Sequence, residues 1–315
     1  MSEKNRLWTP TLNTRCGISE YTQYLGQYAD AELWSNLEDH SGPFTDGLVH
    51  IQHEHGYFNA PYRLTAYMLR KCPTIPWIVT EHTVRRGTSP EAFELHADTI
   101  VVHTASQYRI VKRRATVPVV RIPHGVFDLN VAPKERSDSF VIGAFGFMTR
   151  TKGFHKLVDF IESHPKYRLL LLSSLQVQGT FQKKLQKRIK TIPNIIHNSN
   201  FLHQDQILET IRNEMDALVY WYSEPSGRVL SASGAINLGL STGVPILGTH
   251  TSWFKDLPVL TDSSLENGIK RLFIDKEIYR EQSERQLEYA HQNSWRVTAQ
   301  RHEDLWRELK QSHAH

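Results

Sequence analysis

Short apolar runs alternate with longer amphipathic stretches along almost the whole chain, and this rhythm constrains the fold more than any other feature. The runs read as strands at 48–52, 77–80, 99–102, 117–122, 140–145, 167–172, 217–221 and 244–247. Several are apolar at every position, as expected of parallel strands with helices on both faces. Helical patterning occupies 19–28, 61–69, 155–163, 180–191, 205–215, 232–242 and 276–293. Strand followed by helix, repeated this often, predicts a doubly wound α/β architecture.

A length of 315 residues suggests two domains. The polar segment FDLNVAPKERSDS (127–139) interrupts the pattern and carries Pro133, so it reads as the linker between two Rossmann-like domains. The expected division is 1–130, 138–293 and a charged, Trp-containing helix over 294–315. Cys16 and Cys72 are the only cysteines, too few for a disulfide framework, which fits a reducing compartment. The N-terminus lacks the apolar core of a signal peptide, and no apolar run approaches the roughly 18 residues of a membrane span. A cytoplasmic protein, peripheral to a membrane at most, is the expectation. A net charge of +4 suits a phosphate-bearing ligand, an anionic membrane or nucleic acid without choosing among them. The basic segments 112–114 and 183–190 carry the last two options.

Ligands of open α/β sheets bind beyond the carboxyl ends of strands. Two such places stand out. After the run ending at Phe145 comes GFMTRTKGF, in which Gly146 and Gly153 permit tight turns while Arg150 and Lys152 bring two cations to a helix start. After the run ending at Trp221 comes SEPSGRVLSASG, with one carboxylate, Glu224, then a Pro225-Ser226-Gly227 turn. Ser231, Ser233 and Gly234 sit at or near the next helix start, where N–H groups can meet a phosphate. The first place suits a diphosphate. The second suits the hydroxyls of a sugar.

In order and spacing these motifs resemble retaining family-4 glycosyltransferases of the GT-B fold, two Rossmann-like domains facing a cleft. The resemblance implies that Lys152 and Arg150 grip a donor diphosphate and that Glu224 contacts the donor sugar. Phe147 stands where the family's arginine often follows the glycine, and Arg150 is its substitute. A second family glutamate, which holds the ribose, has no counterpart, since Ala232 or Leu238 occupies its place. TRCGISEYTQYL (14–25) looks like the family's glycine loop, which sets Gly17 beside the donor and Tyr21 near the acceptor cleft. HIQHEHGYF (50–58) resembles a segment lining that cleft, through Glu54 and His55. His82 in IVTEHTV (78–84) matches a histidine near the transferred sugar, and RIPHGV (121–126) resembles the close of the first domain, with His124 for asparagine. The last helix resembles one that crosses back onto the first domain.

Three histidines at 50, 53 and 55 raise a metal site, but no cysteine or carboxylate set accompanies them, so cleft-lining or structural roles are expected. Glu81 and His82, adjacent on a strand, face opposite ways, with His82 inward. The expectation is a metal-independent transfer, without cofactor, from a UDP- or GDP-linked sugar to an acceptor hydroxyl on a polysaccharide, lipid-linked sugar or metabolite. Hydroxymethylated bases in DNA are the alternative acceptor. A nucleotide-sugar-binding or nucleic-acid-binding protein that has lost catalysis is the alternative outside enzymes.

Overall fold

The computed structural model describes residues 4–14, 16–35, 42–56, 61–173, 179–200, 202–224 and 229–313. The chain divides into two compact units: Met1–Gly125 with Ser226–Gly234 and Asn293–His315, and Val126–Pro225 with Ala235–Gln292.

The first unit begins β1 (Asn5–Trp8), α1 (Gly17–Tyr28), β2 (Glu32–Trp34), β3 (Leu48–His53), α2 (Pro61–Lys71) and β4 (Trp77–Glu81). It continues β5 (Thr83–Arg85), α3 (Phe93–His96), β6 (Thr99–Val102), α4 (Ala105–Arg114) and β7 (Val119–Arg121). The second unit contributes β8 (Val141–Phe145), a 3-10 turn (Arg150–Lys152), α5 (Phe154–Ser163), β9 (Arg168–Leu172), α6 (Thr180–Ile189), β10 (Ile195–Asn198), α7 (Gln204–Glu214) and β11 (Ala217–Tyr220). Next comes β12 (Val229–Ser231), which lies in the first unit, then α8 (Gly234–Leu240). β13 (Ile246–Thr249), β14 (Leu260–Asp262), α9 (Leu265–Ile274) and α10 (Lys276–Gln292) complete the second unit, and α11 (Trp295–His313) returns to the first.

Each unit has one six-stranded parallel sheet. The orders are β2-β1-β3-β4-β6-β7 and β10-β9-β8-β11-β13-β14. In the second, the chain builds outward from β8 through β9 and β10, then reverses to β11 on the other side of β8. The β8–β11 gap is therefore the topological switch point, where α/β sheets open a crevice. A separate antiparallel pair joins β12 to β5, Leu230 opposite Val84.

The second sheet shows why the runs are wholly apolar. Ala217, Val219 and Trp221 enter the core on one face, and Leu218, Tyr220 and Tyr222 enter the core on the other. The first sheet is asymmetric. Val49, Ile51, Trp77 and Val79 join an apolar core, whereas the alternate positions carry His50, Gln52, Thr80 and His82, all buried. Burying so many polar groups is tolerable only when they bond one another. His50 Nε2 lies 2.7 Å from Thr80 Oγ1 and its Nδ1 accepts from Trp306 Nε1 at 3.2 Å, while Tyr21 Oη lies 3.1 Å from His302 Nε2. The last two contacts hold α11 to the first unit.

Candidate active site

In the second unit, two loops at the switch point carry the residues of interest. Leaving β8, the chain turns through Gly146 at φ 125° and enters the Arg150–Lys152 turn. Gly153 follows at φ 70° and opens α5. A Cβ on Gly153 would stand 2.1 Å from the Trp221 carbonyl oxygen, so only glycine lets this loop lie on the end of β11. Ser223 N donates to Thr151 O at 2.8 Å, which stitches the loop after β8 to the loop after β11. The Lys152 ammonium lies 5.7 Å from the Phe147 ring centroid and 5.5 Å from that of Tyr222. Among the described residues no carboxylate forms an ion pair with it. A Cβ on Gly146 would stand 3.0 Å from its Nζ, so a bare backbone leaves room for the lysine head.

Glu224 lies in the loop after β11. Ser252 donates to its carboxylate from both backbone and hydroxyl, N to Oε2 at 2.9 Å and Oγ to Oε1 at 2.7 Å. Ser252 follows β13, and Thr249 Oγ1 at the end of that strand donates to Tyr222 O at 2.6 Å. Neighbouring strands thus fix the carboxylate while its side chain stays exposed. Ser252 had no signal in the sequence, because nothing local marks a residue 28 positions away as Glu224's partner. The Arg150 guanidinium lies 4.8 Å from the Phe181 ring centroid on α6. The Pro225-Ser226-Gly227 turn lies outside the described residues, as do Arg15, Tyr57 and Phe58.

The other sequence-derived candidates lie in the first unit. Gly17 opens α1, and a Cβ there would meet nothing within 4 Å. Ser233 is buried, and Gly234 opens α8, with open space around its own Cβ position. Glu54 accepts from Thr83 Oγ1. Tyr21 is fully buried against His82, His103, His124 and Trp295, with no face toward solvent. Both ring nitrogens of His82 are engaged, Nε2 3.0 Å from Gln52 Oε1 and Nδ1 3.3 Å from His103 Nε2. Burial first, then the nearby histidines, pulls its pKa well below the usual value, so the ring is neutral.

Glu81 occupies the opposite face of β4 from His82. It is fully buried beside Glu94 and Arg114, with Arg114 Nη2 3.6 Å away, and His55 Nε2 at 3.9 Å. Burial, then the charge of Glu94, drives its carboxyl well above the usual range, against the pull of Arg114. Among the described residues no group of three or more His, Cys, Asp or Glu side chains is arranged to hold a metal ion. Arg114, whose side chain is 3% exposed, is committed to Glu94 and contributes no free charge to the 112–114 segment.

No family model and no curated protein sequence matches the chain. Solved structures do. Anabaena HepE in complex with UDP-glucose superposes with a TM-score of 0.71 at 12% identity, over 98% of this chain and 100% of that one. AviGT4, a glycosyltransferase involved in avilamycin A biosynthesis, gives 0.66 at 13% identity over 98% of both chains. The fold is GT-B. This chain's two six-stranded Rossmann-like sheets match the GT-B glycosyltransferases it resembles. No helix among the described residues is long and apolar enough to cross a membrane.

Proposed function

We propose that the chain is a glycosyltransferase that moves a sugar from a nucleotide diphosphate sugar to an acceptor hydroxyl, with retention at the anomeric carbon. The observation that carries the reading is the switch point of the second sheet. An ammonium without a carboxylate partner among the described residues stands after β8, and a carboxylate pinned by Ser252 stands after β11. One backbone hydrogen bond joins their loops. A neutralising cation and a hydroxyl acceptor on one crevice match the two ends of a diphosphate sugar. In this reading Lys152 stabilises the charge that develops on the departing diphosphate, and Glu224 orients the sugar through its hydroxyls. Phe147 and Tyr222 restrict where the ammonium can go, so little reorganisation is needed as that charge appears.

Arg150 and Gly146 belong to the same donor loop, and Gly17, Ser233 and Gly234 supply backbone at or next to the starts of α1 and α8 to the donor. No metal or cofactor takes part, because lysine supplies the positive charge. His82 acts by position, since both of its ring nitrogens are already bonded. Glu54 and His55 face the acceptor, which is a polysaccharide, lipid-linked sugar or metabolite. HepE binds UDP-glucose, so UDP-sugars are the first donors to test. In an assay of product formation from labelled nucleotide sugars, Lys152→Ala is expected to lower turnover by about 10²-fold or more. Near-wild-type kinetics for that variant would remove lysine from the mechanism.

A further inference from the structure

The outer face of α6 carries a charge pattern that sugar transfer does not use. The helix and the residue after it hold Lys183, Lys184, Lys187, Arg188 and Lys190, and no acid. Its N-cap, Gly179, offers no side chain to the first-turn N–H groups, so the positive helix end adds to the lysines instead of offsetting them. Pairs at i and i+4, 183 with 187 and 184 with 188, place like charges together. Arg188 is held by Asp159 and Glu162 of α5. The four lysines are exposed, and among the described residues none forms an ion pair.

Beside the first turn lies a groove of about 470 Å³ lined by Arg150, Thr180, Phe181, Lys184, Leu185 and Arg188. It has an aromatic and aliphatic floor and a cationic rim. A phosphate with the first carbons of an acyl glycerol fits that combination, since basic side chains meet the headgroup while the ring sits at the apolar boundary. A nucleic-acid backbone presents evenly spaced phosphates and has less use for an apolar floor.

We propose that α6 and its groove dock the protein on an anionic bilayer, with a phosphate-bearing lipid headgroup seated beside Lys184 at the groove's rim. The test is co-sedimentation with phosphatidylcholine vesicles, with and without about 30% phosphatidylglycerol, across a salt series. Wild type is expected to bind the anionic vesicles at low salt and to dissociate by about 0.5 M, where surface charge is screened. Lys183→Gln/Lys184→Gln/Lys187→Gln is expected to lose at least about tenfold in partitioning while keeping its melting temperature and its UDP affinity by calorimetry. Lys190→Glu, beyond the helix, gives a weaker loss in the same direction and covers the case of a triple variant that misfolds. Equal binding to neutral vesicles, or full binding by these variants, overturns the proposal. So does duplex DNA that displaces the protein from vesicles at matched phosphate, which would assign the face to nucleic acid. UDP affinity is read separately, so failure of the docking surface is distinguishable from failure of the donor site.

Discussion

Glu224 presents both carboxylate oxygens to Ser252, and this geometry separates two jobs the residue can do. An amide at this position keeps one acceptor oxygen but puts an NH2 group against a donor. Glu224→Gln is therefore expected to leave UDP affinity within about threefold while transfer falls at least about tenfold. Calorimetry beside a turnover assay checks this, and loss of UDP binding with no further defect would place Glu224 in the nucleotide subsite. Gly153 makes a different kind of prediction. Alanine there must adopt φ near 70° and crowd the Trp221 carbonyl at 2.1 Å. The left-handed conformation alone costs about 1–2 kcal/mol, and the overlap adds to it. Gly153→Ala is expected to lower the melting temperature by about 5–10 °C. An unchanged melting curve would mean that the loop does not rest on β11.

The β12–β5 ribbon and the start of α4 depend on one amide. Gln107 Oε1 accepts from His103 N and Thr104 N, while its Nε2 donates to the carbonyls of His82 at 3.0 Å and Leu230 at 3.3 Å. Gln107→Ala removes the partner of three buried backbone groups and one half-buried one, and a loss of about 2–4 kcal/mol in urea unfolding is expected. Gln107→Glu keeps the acceptor side only and should fall between the two; equal stability of all three proteins would refute the role. The same elements show what local pattern can and cannot reveal. Wholly apolar runs announced the central strands because burial on both faces leaves no choice of residue. The glycines and cations after β8 announced a loop that approaches a ligand. The helix α4 is not among the helices the pattern predicts, although Thr104 and Gln107 form a capping box that the spelling Thr-x-x-Gln displays. By contrast β12 has three residues in a Ser- and Gly-rich stretch, and it becomes a strand only because β5, far away in sequence, offers it an edge. Ser252 and Glu224 are the same case in side chains.

Across the first unit, the buried histidines tie stability to pH. Burial lowers His50, His53 and His124 to about 3, His55 and His103 to about 4, and holds His82 and His302 well below the usual value. All are neutral in the folded chain at pH 6, whereas in the unfolded chain they protonate near 6.5. The unfolded state therefore binds more protons below that pH, and stability falls as pH drops from 6.5 toward 4. Burial raises Glu20, Glu81 and Glu91, which works the other way: their contribution is present below about 4.5 and lost as pH rises. Three carboxyls do not cancel seven imidazoles, so a net loss on the order of several kcal/mol is expected between pH 6.5 and 5. His124→Asn removes one titrating ring, whose Nδ1 lies 2.7 Å from Gly125 O in the native protein. That variant is expected to show a shallower decline, by at most about 1.4 kcal/mol per pH unit. Urea titrations at several pH values decide the matter: stability that stays flat from pH 7 to 5 would mean that these rings are hydrated in solution, and that the polar face of the first sheet is open to water.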